Sequence, residues 1–158
     1  MTHGSHTYTV RIEWNGNRGS GTSDYRDYGR EHTISAGAKP DIAGSSDPQF
    51  RGNADRWNPE ELLVAAAAAC HKLWYLHLCA DAGVVVQRYA DEAVGTMVES
   101  AGGGRFTRIV LHPRVTIRTG DDAALATQLH QRAHAECYIA NSVNFAIVCE
   151  PLIDTAAA

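Results

Sequence analysis

The chain has 158 residues, 44% of them hydrophobic and 20% charged, with a formal net charge of −4. That length suits a single domain, 1–158, able to bury a core without staples, and the acidic balance excludes nucleic-acid or anionic-membrane partners, which need a basic face. Residues 1–7 lack the apolar stretch of a signal peptide and the longest apolar run, 62–70, is well short of the roughly 20 residues that span a bilayer, so the expected location is the cytoplasm, where four cysteines do not read as a disulfide framework.

Positions 8–14 alternate strictly, with Tyr8, Val10, Ile12 and Trp14 on one face, and predict a half-buried strand. A turn follows at 15–21, then strands within 22–28 and over 32–36. Residues 37–57, holding Pro40 and Pro48, read as one long irregular loop; such loops inside compact domains usually carry function. This one delivers Arg51 and Arg56 to the start of a helix. The start is well signalled, with Asn58 as N-cap, Pro59 in the first helical position and Glu61 completing a capping box. From Leu62 to Leu78 apolar residues fall on almost every face, so the helix is expected to lie buried at the centre of the fold. Gly83 ends it. At about 1.5 Å per residue it is about 36 Å long, which for so small a domain predicts a helix shared with a partner chain.

Residues 84–90 predict a further strand, and 92–99 with 105–118 flank Ala101-Gly102-Gly103-Gly104 as a hairpin. Asp121 or Asp122 caps a second helix, whose apolar stripe runs Leu125, Leu129, Ala133 and Cys137. Residues 143–149 form the last expected strand. Strands, helix, strands, helix, strand is an α+β order.

The candidate chemistry lies in the cysteines. A lone buried thiol on a helix is most often an inert small hydrophobe, and Cys70 and Cys137 each admit that reading. Two thiols on separate helices near charged residues admit another, a redox pair. Apolar surroundings disfavour a thiolate, so Cys70 needs a cation, which a guanidinium from Arg51 or Arg56 supplies. Glu60, in the first helical turn, is placed to hold such an arginine, whereas Glu61 is accounted for by the cap. Glu60 lies about 15 Å up the helix from Cys70. Either the helix is interrupted, or the arginine and glutamate come from a second subunit related by a twofold axis. Cys79, about 13–14 Å along the same helix, cannot pair with Cys70; it and Cys149 read as packing. His130 and His134 are four apart but have no third ligand beyond Cys137, so no metal or cofactor is expected. His71 points about 100° away from Cys70 around the helix and makes no Cys–His dyad.

These residues resemble the OsmC/Ohr family of osmotically induced and organic hydroperoxide resistance proteins. The resemblance rests on Asn58-Pro59-Glu60-Glu61-Leu62 leading through alanines to Cys70, on Ala133-His134 three residues before Cys137, on the 103–115 hairpin segment, and on Trp14, Gly16 and Gly19-Ser20-Gly21-Thr22. It extends over nearly the whole chain and implies an OsmC-like fold: antiparallel sheets around a long buried central helix, in an intertwined homodimer with active sites at the subunit interface. It further implies a thiol peroxidase for organic hydroperoxides, recycled by an external dithiol. Cys70 is then the peroxidatic thiol, Cys137 the resolving thiol, and Glu60 the carboxylate that positions an arginine, Arg51 ahead of Arg56 and Arg18. The alternative is a non-catalytic dimeric module that binds an apolar ligand or senses oxidants through its thiols.

Overall fold

Helix α1, Pro59–Asp81, is the longest element of a computed structural model that describes residues 4–156. It begins with the expected capping box. Asn58 Oδ1 accepts from the Glu61 N–H at 2.7 Å, and the Asn58 N–H donates to Glu61 Oε2 at 3.2 Å. Gly83, at φ 76°, takes the left-handed conformation that ends the helix without a Cβ clash. The chain divides into two compact units, one through Leu62 and one from Leu63, so only the first turn of α1 belongs to the first unit.

In the first unit β1 (Arg11–Trp14), β2 (His32–Ser35) and β3 (Ile42–Gly44) form an antiparallel sheet in that order. The strand expected within 22–28 is absent and turns take its place. Arg30 explains the difference: its guanidinium sits 4.4 Å from the Tyr25 ring centre and 4.0 Å from that of Tyr28, and donates to both carbonyls, curling the segment. The alternation of 8–14 does give a strand, but Tyr8, Ile12 and Trp14 are 87%, 60% and 43% exposed rather than half-buried. Residues 37–57 carry more structure than a loop, with β3 and a 3-10 turn at Pro48–Phe50.

The second unit has two three-stranded sheets. One orders β4 (Val86–Asp91), β7 (Pro113–Ile117) and β9 (Leu152–Thr155); the other orders β5 (Val94–Ser100), β6 (Gly103–Leu111) and β8 (Ala146–Cys149). The β5–β6 hairpin is as expected. The single run predicted over 105–118 is two strands in two sheets, broken at His112, whose N–H donates to Asp91 Oδ1 at 2.8 Å. Ile109, Leu111, Pro113, Val115 and Ile117 stay on the inner side across that break. The sheets are antiparallel except for the pairs β6–β8 and β7–β9, which are parallel. The return through α2 (Ala123–Glu136) brings the chain back in the same direction, the crossover that parallel pairing requires. Asp122 caps α2 by accepting from Ala124 and Leu125 N–H groups, while Asp121 accepts from Val85 N–H and pairs with Arg118. Strand β9 was not anticipated.

Two apolar clusters meet on α1. Tyr75, Leu78 and Cys79 pack with Val115, Ile117, Ala126, Leu129 and Ala133; Ala67 packs with Ile109, Leu111 and Ile147. The α+β class matches the expectation, but α1 is not buried all round. Only Ala67, His71, Tyr75, Leu78 and Cys79 are buried, a single stripe at helical spacing, while Leu73 is 63% exposed. By length and composition alone α1 is apolar enough to cross a bilayer, yet that stripe is core packing.

Candidate active site

Cys70 lies three residues, nearly a full turn, beyond the buried Ala67 and is half-buried, next in sequence to His71 of the core stripe. Cys137 ends α2 in extended conformation (φ −69°, ψ 114°), fully buried. Its backbone N–H donates to the His134 carbonyl, and its Sγ accepts from the Ala140 N–H at 3.4 Å. The structure brings these two cysteines together. Burial first, and the Cys70 side chain second, push the Cys137 thiol up to about 11, with the Ala140 N–H partly opposing. Both are free thiols. The stripe spacing that put Cys137 at the end of α2 is what makes it meet α1.

A pocket of about 310 Å³ opens at Cys70, lined by Leu73, Trp74, His77 and Tyr138. Trp74 and Tyr138 meet edge to face at 5.6 Å, so one wall comes from α1 and the other from the residue following Cys137. The lining is hydrocarbon and aromatic ring apart from the thiol, the His77 imidazole, the Tyr138 hydroxyl and the Trp74 indole N–H. A mostly apolar pocket with a few polar groups is the usual form of a small-molecule site.

Arg51 and Glu60 lie in the first unit. Arg51 follows the 3-10 turn at φ 64°, the one non-glycine residue with positive φ among the described residues. The turn is tightly held: Asp47 caps it through Gln49 N–H at 2.7 Å, Gly52 N–H donates to the Asp47 carbonyl at 3.0 Å, and Ser46 Oγ donates to the Phe50 carbonyl at 3.1 Å. Gly52 runs so close to the Ser46 carbonyl that no Cβ fits there. A bulky side chain held in the left-handed region by surrounding bonds is a hallmark of functional loops. Glu60 is half-buried in the first turn of α1. Because α1 is continuous through Pro59–Asp81, the interrupted-helix alternative for joining Glu60 to Cys70 is excluded.

Cys79 is buried packing beside Tyr75, as expected. Cys149 is not. Its Sγ lies 3.5 Å from His71 Nε2 and 3.7 Å from His130 Nδ1, and those two nitrogens are 2.9 Å apart. His130 therefore partners His71 of α1 and not its i+4 neighbour His134. Both imidazoles are essentially fully buried, and burial lowers His71 to about 4 and His130 to about 3. Burial also pushes Cys149 up to about 12. The rings of His130 and Tyr75 stack at 3.8 Å. The sequence signal available was His71 on the same α1 stripe as Ala67 and Tyr75.

The chain matches the family model described as OsmC-like protein over residues 52–151. It is 27% identical over 142 residues to the uncharacterised protein YmaD of Bacillus subtilis, covering 87% of each chain. Its fold superimposes on an OsmC-like protein of unknown function from Vibrio cholerae with a TM-score of 0.85 and 28% identity, covering 94% of this chain and all of that one. It also superimposes on an organic hydroperoxide resistance protein from Elizabethkingia anophelis (TM-score 0.71, 16% identity, 98% and 99% covered), a likeness of fold alone. A family model that matches well over half of its length, and a fold that agrees with it, show that the chain belongs to the OsmC-like protein family.

Proposed function

We propose that the protein is a thiol-dependent peroxidase that reduces organic hydroperoxides. The observation that carries this reading is the meeting of Cys70 and Cys137 at the mouth of an apolar pocket. The Cys70 thiolate attacks the distal peroxide oxygen, the O–O bond breaks, and the alcohol leaves with a proton, which makes Cys70 a sulfenic acid. The Cys137 thiolate then attacks the Cys70 sulfur; the S–S bond forms and the hydroxyl departs as water. An external dithiol restores both thiols by exchange and becomes a disulfide itself. Burying each methylene of the substrate tail in the pocket contributes roughly 0.8 kcal/mol, which favours organic over hydrogen peroxide.

Arg51 is the proposed cation for the Cys70 thiolate and Glu60 its positioning carboxylate, both contributed by the partner of a homodimer. Two features support the dimer: the apolar face of α1 that includes Leu73 is exposed, and so is the apolar face of β1. Sedimentation at micromolar concentration tests it, and a stable folded monomer rejects it. The activity is tested by following cumene hydroperoxide loss with a dithiol reductant. Turnover in wild type and none in Cys70→Ser is the expected result. Pocket binding of an apolar ligand without peroxide turnover would place the protein instead among non-catalytic binding modules.

A further inference from the structure

Among the described residues, the only trio whose ligand atoms could hold a metal ion is His71, His130 and Cys149, with those atoms all within 4.8 Å of one another. They come from α1, α2 and the end of β8, three elements that the fold clamps together in the second unit. A tetrahedral zinc ion with Zn–N near 2.05 Å and Zn–S near 2.3 Å sets its ligand atoms at N···N of about 3.3 Å and N···S of about 3.6 Å. The two N···S distances here are 3.5 and 3.7 Å. The N···N distance is 2.9 Å, a hydrogen bond that has to open by about 0.4 Å to admit the ion at these bond lengths.

A second observation points to a cation independently. Asp91 Oδ2 and the Tyr89 hydroxyl are buried without hydrogen-bond partners, and the charge of Asp91 acts directly on Cys149. A buried carboxylate with an unpaired oxygen is costly unless a positive charge lies nearby. Burial pushes the Asp91 carboxyl above the usual carboxylate range, opposed by the His112 backbone N–H and the His112 charge. A zinc ion with one thiolate carries a net charge of about +1, which would favour the ionised form of Asp91. With one proton shared between two imidazoles the inner hydrogen bond satisfies only one ring nitrogen on each; the thiol has no strong bond of its own.

We propose that His71, His130 and Cys149 form a binding site for Zn²⁺, with the fourth coordination position open. The Cys149 thiol, which burial and the charges of Asp91 and Glu150 hold protonated in the metal-free chain, loses its proton to solvent as the zinc–thiolate bond forms, so binding releases one proton and strengthens as pH rises. Cys149 is the one partly exposed member of the trio, and both imidazoles are buried. Two nitrogens and a thiolate are the donor set preferred by borderline-soft ions over magnesium or calcium. The site uses neither Cys70 nor Cys137 and holds whether or not the peroxidase reading does.

The test uses the full chain, reduced and treated with chelator, titrated with Co²⁺ as a spectroscopic stand-in and then with Zn²⁺. Expected are one Co²⁺ per chain, tetrahedral d–d absorption, a thiolate-to-cobalt charge-transfer band, and loss of all three signals on adding Zn²⁺. The double variant Cys70→Ser/Cys137→Ser keeps the band; Cys149→Ala and His130→Gln lose it. No band in wild type, a band retained in Cys149→Ala, or a band lost in the double variant overturns the site. Should Cys149→Ala or His130→Gln fail to fold by circular dichroism, alkylation of wild type decides. Zn²⁺ must then slow labelling of Cys149, read by peptide mass spectrometry, and equal labelling with and without Zn²⁺ overturns the proposal.

Discussion

The side chains of Asn58 and Glu61 cap α1 reciprocally, each accepting a backbone N–H from the other, at 2.7 and 3.2 Å. The cap accounts fully for Glu61 and leaves Glu60 free of any structural duty in it. Asn58→Ala should therefore lower stability by about 1 kcal/mol, with Glu61→Gln costing less. Neither should change peroxide reduction, while Glu60→Gln should slow it. Chemical denaturation and steady-state rates on the three variants separate the roles. Equal rate losses in Glu60→Gln and Glu61→Gln would mean the two carboxylates do not divide in this way.

Wild type exposed to mild peroxide is expected to form a Cys70–Cys137 disulfide, detected by peptide mapping. Cys137→Ser should accumulate sulfenic acid at Cys70 and go on to irreversible oxidation, and Cys79→Ser should match wild type, since Cys79 sits in a separate core cluster. Burial holds the Cys137 thiol near 11, so disulfide formation should accelerate from pH 7 to pH 10. A disulfide mapped to Cys79 sinks the pairing.

Arg51 at φ 64° sets stability against activity. Replacing it with glycine relieves a left-handed conformation that costs a side-chain-bearing residue roughly 1–2 kcal/mol. Arg51→Gly should raise stability by up to about 1 kcal/mol, while Arg51→Ala should leave it near wild type. Both should slow peroxide reduction, because each removes the guanidinium. If both variants turn over at the wild-type rate and Arg56→Ala does not, Arg56 is the activating cation.

The buried imidazoles make the metal-free protein acid-sensitive. Burial lowers both, with the charge of His134 a second cause at His71 and that of His71 at His130. Their folded values, about 4 and about 3, lie below the ordinary 6.5, so the unfolded chain takes up protons first. Their share of the stability is complete above pH 6.5 and is lost as pH falls through that window toward 4 and then 3. Each contributes a slope of up to about 1.4 kcal/mol per pH unit. Urea unfolding between pH 7 and 4 should show a shallower slope in His71→Gln and in His130→Gln. An unchanged slope in both variants contradicts the neutral buried pair.

What the sequence determined by itself was local. The capping box of α1, its glycine stop and the β5–β6 hairpin each depend on residues a few positions apart and formed as read, and of the two aspartates offered as the α2 cap it is Asp122 that caps. The alternation of 8–14 also gave a strand, but whether its apolar face is covered depends on what packs there, which the pattern does not state. The same holds for α1: residues apolar on every face predict burial, while the supply of neighbours decided that one stripe is covered. The thiol pair was legible because both cysteines continue helix stripes. The His71–His130–Cys149 cluster was not, since its members are 59, 78 and 19 positions apart and meet only after α2 carries the chain back to a parallel β8. Periodicity reports which side of an element faces inward; it carries no information on which inward faces meet, and that is set by the crossover alone.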